Sequence, residues 1–161
     1  MRPVRRPRSR KGSGVSAMPG AMRVREFLSL LPDLVRQQLP AELADFQVRG
    51  PTVSLVKLHY GNPSIHYEAW IQRRKGELEL GLHFEGNPAS DSTYLEFFRQ
   101  HSKRIDAALG QGVGMEWWGV SWTRVHQAIP LEPLTDDFLV EVSVKLSRMI
   151  QTLEPLLRSL P

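Results

Sequence analysis

Two runs of alternating side chains, at residues 64–73 and 76–85, constrain the fold more than any other part of the sequence. Apolar and polar residues exchange at almost every position of both runs, which is the two-residue period of a strand with one buried face. Only a short basic segment separates the runs, a spacing typical of a β-hairpin. We therefore predict an antiparallel hairpin whose apolar face, from Ile65 to Phe84, turns to a core.

The turn between the two runs decides which residues lie opposite one another. A two-residue turn at Lys75 and Gly76 gives complementary pairs on the polar face, so we prefer this register. Its pairs are Arg74–Glu77, Gln72–Glu79, Trp70–Gly81, Glu68–His83 and His66–Glu85. A four-residue loop over 73–76 is the alternative and would place His66 opposite His83. A three-residue loop would set polar residues opposite apolar ones, and we reject it.

The histidines and glutamates of this hairpin are the first candidates for a site. Positions i and i+2 of a flat strand lie ~7 Å apart, which favours solvated cross-strand pairs over convergence on one point. A face that binds a ligand or partner is the second interpretation, and a metal or acid–base site is the third. Imidazole and carboxylate both suit zinc or manganese. The candidate ligands are His66, Glu68, His83 and Glu85.

The remaining pattern supplies helices and further strands. Apolar spacing predicts a helix over 22–39, kinked or restarted at Pro32, and then a loop and a strand over 52–60. A helix over 92–109, with Thr93 and Glu96 at capping-box spacing, follows the hairpin. Residues 115–129 read as one bent strand or two short ones, and a final helix runs from about 135 to 160. We predict an α+β fold in which an antiparallel twisted sheet of 4–5 strands is backed by helices, in the order α-β-β-β-α-β(β)-α.

The positive charge of the chain is concentrated at its beginning. The formal net charge is +4, but residues 1–21 hold six basic residues and no acid, so residues 22–161 have a net charge of −2. We expect residues 1–21 to be a disordered basic tail, or a mis-assigned start if translation begins at Met18 or Met22, ahead of one domain over 22–161. Such a tail could contact nucleic acid through Arg5, Arg6, Arg8, Arg10 and Lys11.

The sequence lacks the residues or motifs that several classes of protein chemistry require. The chain has no cysteine, which excludes disulfides and thiolate ligands and is compatible with a cytoplasmic location. It has no apolar run of about 18 residues, so we expect no membrane span. No nucleophile elbow, dinucleotide fingerprint, P-loop or H-E-x-x-H motif is present. We therefore expect no cofactor and favour a protein that is not an enzyme.

The predicted polar face also carries tryptophan side chains. Trp117, Trp118 and Trp122 fall within six residues, and alternation places Trp118 and Trp122 on one face. Together with Trp70 they could form an aromatic patch of the kind that anchors protein partners. The predicted partner-binding residues are His59, His66, Glu68, Trp70, His83, Glu85, Trp118 and Trp122.

The element order over residues 22–160 resembles the secretion-chaperone-like α+β fold, which implies a dimer that docks an extended segment of a client protein. The segments RIDAALG and MEWWGVSW also resemble an uncharacterised α+β domain found with restriction-endonuclease-like proteins. Three hypotheses follow. The first is an adaptor- or chaperone-like interaction module, the second a nucleic-acid-associated accessory domain, and the third a metal-dependent hydrolase that uses the four candidate ligands.

Overall fold

A computed structural model describes residues 20–161. In that range one sheet of six strands is combined with four α-helices. The helices are α1 (Val24–Gln38), α2 (Pro88–Gln100), α3 (Ser102–Leu109) and α4 (Asp136–Arg158). The strands are β1 (Gln47–Arg49), β2 (Leu55–His59), β3 (Ile65–Gln72), β4 (Glu77–Phe84), β5 (Gly114–Trp118) and β6 (Trp122–Pro130). A short 3-10 helix, Ala41–Leu43, follows α1.

All strand pairs are antiparallel, in the spatial order β1-β2-β3-β4-β6-β5. The α+β prediction is therefore confirmed, with six strands in place of four or five. The additional strand is β1, a three-residue edge strand. All of its residues are exposed, so its sequence has no alternation of buried and exposed side chains from which to predict it. The aromatic region forms two strands, and Gly119, with a φ of +61°, lies in the turn between them. The basic residues proposed to bind nucleic acid fall outside the described residues.

The preferred hairpin register is wrong. β3 and β4 are joined by the four-residue loop, so that His66 lies opposite His83, Glu68 opposite Gly81 and Trp70 opposite Glu79. The backbone N–H of Gly76 donates to the carbonyl of Arg73 at 3.1 Å, and Gly76 adopts the left-handed conformation that closes the loop, with a φ of +64°. The two registers differ by two residues, so both leave the same residues on the apolar face.

The core lies between the apolar face of the sheet and helices α1 and α4. From the sheet it includes Val56, Leu58, Tyr67, Leu78, Leu80, Leu82, Phe84 and Val125, all fully or almost fully buried. Phe27 of α1 and Phe138 of α4 also pack together, with ring centroids 5.7 Å apart. Each buried aliphatic side chain of this kind stabilises the fold by about 1.5–3 kcal/mol relative to an exposed one. The same core contains the apolar side chains along one face of α4, namely Leu139, Val142, Leu146, Met149 and Leu153.

The helices differ from those predicted from the sequence in two places. α1 continues through Pro32 as one helix. The predicted helix over 92–109 is two helices that meet at His101, and the first begins earlier, at Pro88. Asn87 caps it by accepting a hydrogen bond from the backbone of Ser90 at 3.0 Å, whereas the Thr93 hydroxyl donates to the carbonyl of Ala89. Within residues 20–161, no helix has the length and apolarity required to cross a membrane.

Candidate metal centre

The polar face of β3 and β4 is buried. His66 is 1% exposed, Glu68 4% and His83 0%, so the interpretation of these residues as solvated cross-strand pairs is wrong. Part of the cover is aromatic, because the Trp118 ring meets His83 edge-on with centroids 5.4 Å apart and lies 6.3 Å from the Trp70 ring. Ionisable groups at this depth require partners, since an uncompensated charge is costly away from water.

Four side chains converge on one point of this face. His66, Glu68, His83 and Glu85 each offer one ligand atom, and these atoms all lie within 4.8 Å of one another. The observed register produces the convergence, because it places His66 opposite His83 and their rings stack with centroids 5.5 Å apart. The preferred register from the sequence would instead have separated the two imidazoles.

One ring nitrogen of His66 forms a hydrogen bond outside the cluster. Its Nδ1 lies 3.0 Å from the carbonyl oxygen of Pro63 and donates its hydrogen there, because a carbonyl can only accept. Its Nε2 faces the cluster, 3.0 Å from Glu68 Oε2 and 3.7 Å from Glu85 Oε2. Two carboxylate oxygens beside a nitrogen lone pair repel it, so a proton or a metal ion must lie between them.

His83 also has one ring nitrogen that forms a hydrogen bond outside the cluster and one that faces the cluster. Its Nε2 donates to Glu79 Oε1 at 3.0 Å. Its Nδ1 is fully buried and has no hydrogen-bond partner among residues 20–161, and it lies 3.9 Å from both Glu68 Oε2 and Glu85 Oε2. A proton on this nitrogen would find no acceptor within hydrogen-bond distance, whereas an ion between the three atoms would contact all of them.

The glutamate behind His83 is itself firmly held. Glu79 Oε2 accepts hydrogen bonds from Arg124 Nη1 at 3.0 Å and from Gln72 Nε2 at 3.2 Å. Burial by itself raises the pKa of Glu79, but the hydrogen bond from His83 and the electrostatic influence of His83, Arg124 and His126 together outweigh burial and lower that pKa. Glu79 is therefore ionised at neutral pH and fixes the orientation of the His83 ring.

A second imidazole lies behind Glu79. His126 Nδ1 is 3.8 Å from Glu79 Oε1, and its Nε2 is 2.9 Å from Glu116 Oε1 on β5. Burial and the neighbouring Arg124 lower the pKa of His126, which keeps this ring neutral near pH 7. Imidazoles and carboxylates thus alternate from the buried cluster to Glu116, whose side chain is half exposed.

Two glycines make room for these rings. β6 places His126 between Gly81 of β4 and Gly114 of β5. A Cβ atom at Gly81 would lie 3.0 Å from His83 Nε2 and 3.1 Å from His126 Cβ, and one at Gly114 would lie 2.6 Å from His126 Nε2. A Cβ at Gly114 would force the His126 ring to move, and one at Gly81 would make tighter contacts with His83 and His126 than most Cβ atoms make, so a side chain at either position would disturb these rings.

The sequence prediction missed Arg124, His126 and the role of Glu79. Arg124 and His126 come from β6, which begins at Trp122, well after β4 ends at Phe84, and nothing in the sequence pairs those strands. The alternation of residues 122–126, in which Arg124 and His126 share a face with Trp122, was the available signal.

The other predicted site residues are distributed around the cluster. His59 is buried opposite His66, but its Nδ1 accepts a hydrogen bond from the backbone of Gly61 and it is not among the four convergent residues. Burial lowers the pKa of His59, and Arg49 and His66 lower it further. Trp70 and Trp118 are half-buried, whereas Trp122 is 38% exposed.

Comparisons with known proteins give no family for this fold and site. No protein-family model, no curated protein and no solved structure matches the chain. The resemblance to secretion chaperones therefore receives no support from them.

Proposed function

We propose that this protein binds one divalent first-row transition-metal ion through His66, Glu68, His83 and Glu85. The observation that carries the proposal is the Nδ1 atom of His83, which is buried, has no hydrogen-bond partner in the described part of the chain and faces two carboxylates. Nitrogen and oxygen donors without sulfur suit zinc, manganese or ferrous iron.

The surroundings of the cluster support an ion more than a set of protons. Both histidines donate their outer N–H group, one to a backbone carbonyl and the other to a carboxylate, as metal-bound histidines usually do. The Lys57 ammonium lies 3.6 Å from Glu85 Oε1 and compensates one carboxylate only. Zinc bonds of about 2.1 Å would draw the four ligand atoms somewhat closer together than they lie here.

The depth of the cluster bears on what the ion would do. Four protein donors fill a tetrahedral shell, which is typical of zinc sites that stabilise a fold. Hydrolysis needs an open position for water, and Glu85, at 13% exposure the most accessible ligand, is the donor that would have to release it. We therefore propose metal binding as the function and place hydrolysis second.

Metal analysis of the purified full chain tests the proposal. After removal of metal with a chelator, the protein is incubated with Zn²⁺ or Mn²⁺, desalted and analysed by elemental mass spectrometry. We expect about one bound ion per chain and a rise in Tm on reconstitution. His66→Ala and His83→Ala should bind little or none, whereas His59→Ala, which changes a buried histidine on the neighbouring strand, should bind normally.

Two results would contradict metal binding. One is a folded wild-type protein that takes up neither ion at stoichiometric level. The other is equal metal content in His83→Ala and the wild type, with circular dichroism confirming that both are folded.

A protein-interaction function is the second candidate, and exposed aromatic side chains around the β5–β6 turn favour it. Trp117 is 46% exposed, Val120 103% and Trp122 38%. Of the eight residues predicted to bind a partner, His59, His66, Glu68 and His83 are buried, so a partner would contact mainly this turn. Trp117→Ala with Trp122→Ala should then lose a stoichiometric co-purifying protein while metal content is retained. A partner kept by this double variant would exclude the turn as its site.

A further inference from the structure

A cavity lies at the end of the sheet where β3 extends beyond β2. β2 begins at Leu55, which pairs with Trp70, so Ile71 and Gln72 have no partner residue in β2. The cavity has a volume of about 730 Å³ and occupies this end of the sheet, beside the first turn of α1. Volumes of this order are typical of small-molecule sites.

The walls of the cavity are apolar. Val24 of α1, Val53 of the segment before β2, and Trp70 and Ile71 of β3 supply them. Val53 is 84% exposed, so its side chain is available to contact a ligand. An apolar ligand body in the cavity would cover it.

The rim of the cavity is cationic. Arg73, Arg74 and Lys75 follow one another in the β3–β4 loop, all are exposed, and all three line the cavity. Among residues 20–161, none of the three makes a salt bridge. An arginine pair is well suited to a carboxylate, because a guanidinium can donate two parallel hydrogen bonds.

We propose that this cavity binds a small organic anion: an apolar body, aliphatic or aromatic, that carries a carboxylate. The body would lie against Val24, Val53 and Trp70, and the carboxylate would pair with Arg73 and Arg74. Charge complementarity at the rim selects an anion over a neutral or cationic amphiphile. None of the four candidate metal ligands lines the cavity, and the binding proposed here does not depend on metal binding.

Calorimetric titration of the full chain with decanoate, below its micellar concentration, tests the proposal. Decanol and decyltrimethylammonium are the matched neutral and cationic probes. We expect decanoate to bind at one site and the other two probes to bind at least about tenfold more weakly. The double variant Arg73→Ala/Arg74→Ala should lose at least about tenfold in decanoate affinity. Lys103→Ala/Arg104→Ala, which removes two exposed cations from α3, should bind like the wild type.

Val53→Asp provides a second test that leaves the sequence of the β3–β4 loop unchanged. Val53→Asp places a negative charge in the cavity wall at a position on which no core contact depends, and it should abolish decanoate binding. Equal affinity for all three probes would overturn the proposal, and so would full decanoate binding by Val53→Asp.

The same chemistry could be presented by a lipid surface, so a vesicle arm is included. Flotation with vesicles of phosphatidylcholine and phosphatidylserine should leave the protein unbound if the ligand is a free molecule. Binding to these vesicles without binding of decanoate would refute the cavity and indicate a membrane surface.

Discussion

The β3–β4 hairpin buries both of its faces, but it does so with opposite chemistry. On one face, leucines and aromatic residues pack against α1 and α4, and burial itself provides the stabilisation. On the other face, histidines and glutamates are buried under tryptophan, and burial is a cost that specific partners must offset. The apolar face therefore depends on volume, whereas the polar face depends on the position of individual atoms.

The largest expected effect comes from the apolar face. Leu146 of α4 is fully buried, and Leu146→Ala should lower the free energy of unfolding by about 2–5 kcal/mol because it leaves a cavity. Urea unfolding measures this loss, and Val144→Ala, at a 36% exposed position of the same helix, is the matched control. If the two faces of the hairpin are independent, folded Leu146→Ala should keep the metal content of the wild type. Loss of metal from that folded variant would mean that the two faces are coupled.

A single methyl group on the polar face should have the next largest effect. Gly81→Ala would place a Cβ 3.0 Å from His83 Nε2, and we expect a loss of about 1–3 kcal/mol in stability together with weaker metal binding. Gly86→Ala is the control, since its nearest contact, Asp91 Oδ1 at 3.4 Å, is ordinary packing. Denaturant unfolding and metal titration report the two effects. If Gly81→Ala equals Gly86→Ala in both, atomic position matters less here than we argue.

Glu79→Gln sharpens the contrast without changing volume. The amide keeps an oxygen near His83 but removes the charge that orients the ring, so metal affinity should fall about 10- to 100-fold. Competition with a chromogenic chelator measures that affinity, and saturating metal should still give one ion per chain. Glu77→Gln on the same strand serves as the control. Unchanged affinity in Glu79→Gln would remove Glu79 from the support of the site.

The smallest effect concerns Asp91 of α2, whose Oδ1 accepts a hydrogen bond from the backbone N–H of Gly86 at 3.3 Å. Burial raises the pKa of Asp91, the Gly86 backbone N–H lowers it and Glu85 raises it again, with a net upward shift. Its Oδ2 is buried and has no hydrogen-bond partner within the residues that the structure describes. A raised carboxyl pKa means that the folded state binds the proton more tightly, so the charge costs stability above that pKa and the cost disappears as the pH falls.

Asp91→Asn removes this charge at constant shape. We expect its Tm to exceed that of the wild type at pH 8 and the difference to shrink as the pH falls through the raised pKa. Thermal unfolding at several pH values measures it, with Asp106→Asn, at an exposed position of α3, as the control for loss of a surface charge. A pH-independent difference would assign the effect to hydrogen bonding instead.

Features that depend on neighbouring residues were predictable. The period of two along 64–85 identified the hairpin and its apolar face, and Thr135 identified the start of α4, where its side chain accepts the Phe138 N–H at 3.3 Å. Features that depend on distant partners were not. Pair complementarity within the hairpin favoured the wrong register, and it left out the contacts that Glu79 makes with Arg124 and His126 of β6.

By itself, the sequence determined which residues share a face and where helices and strands form. These properties follow from local periodicity, and a register shift of two residues leaves them unchanged. Only the tertiary structure decided that His66 lies opposite His83, that Glu68 and Glu85 point to the same place and that tryptophan helps to cover them. The physical reason is that burial and convergence belong to strands brought together by the turn at 73–76 and by the pairing of β4 with β6.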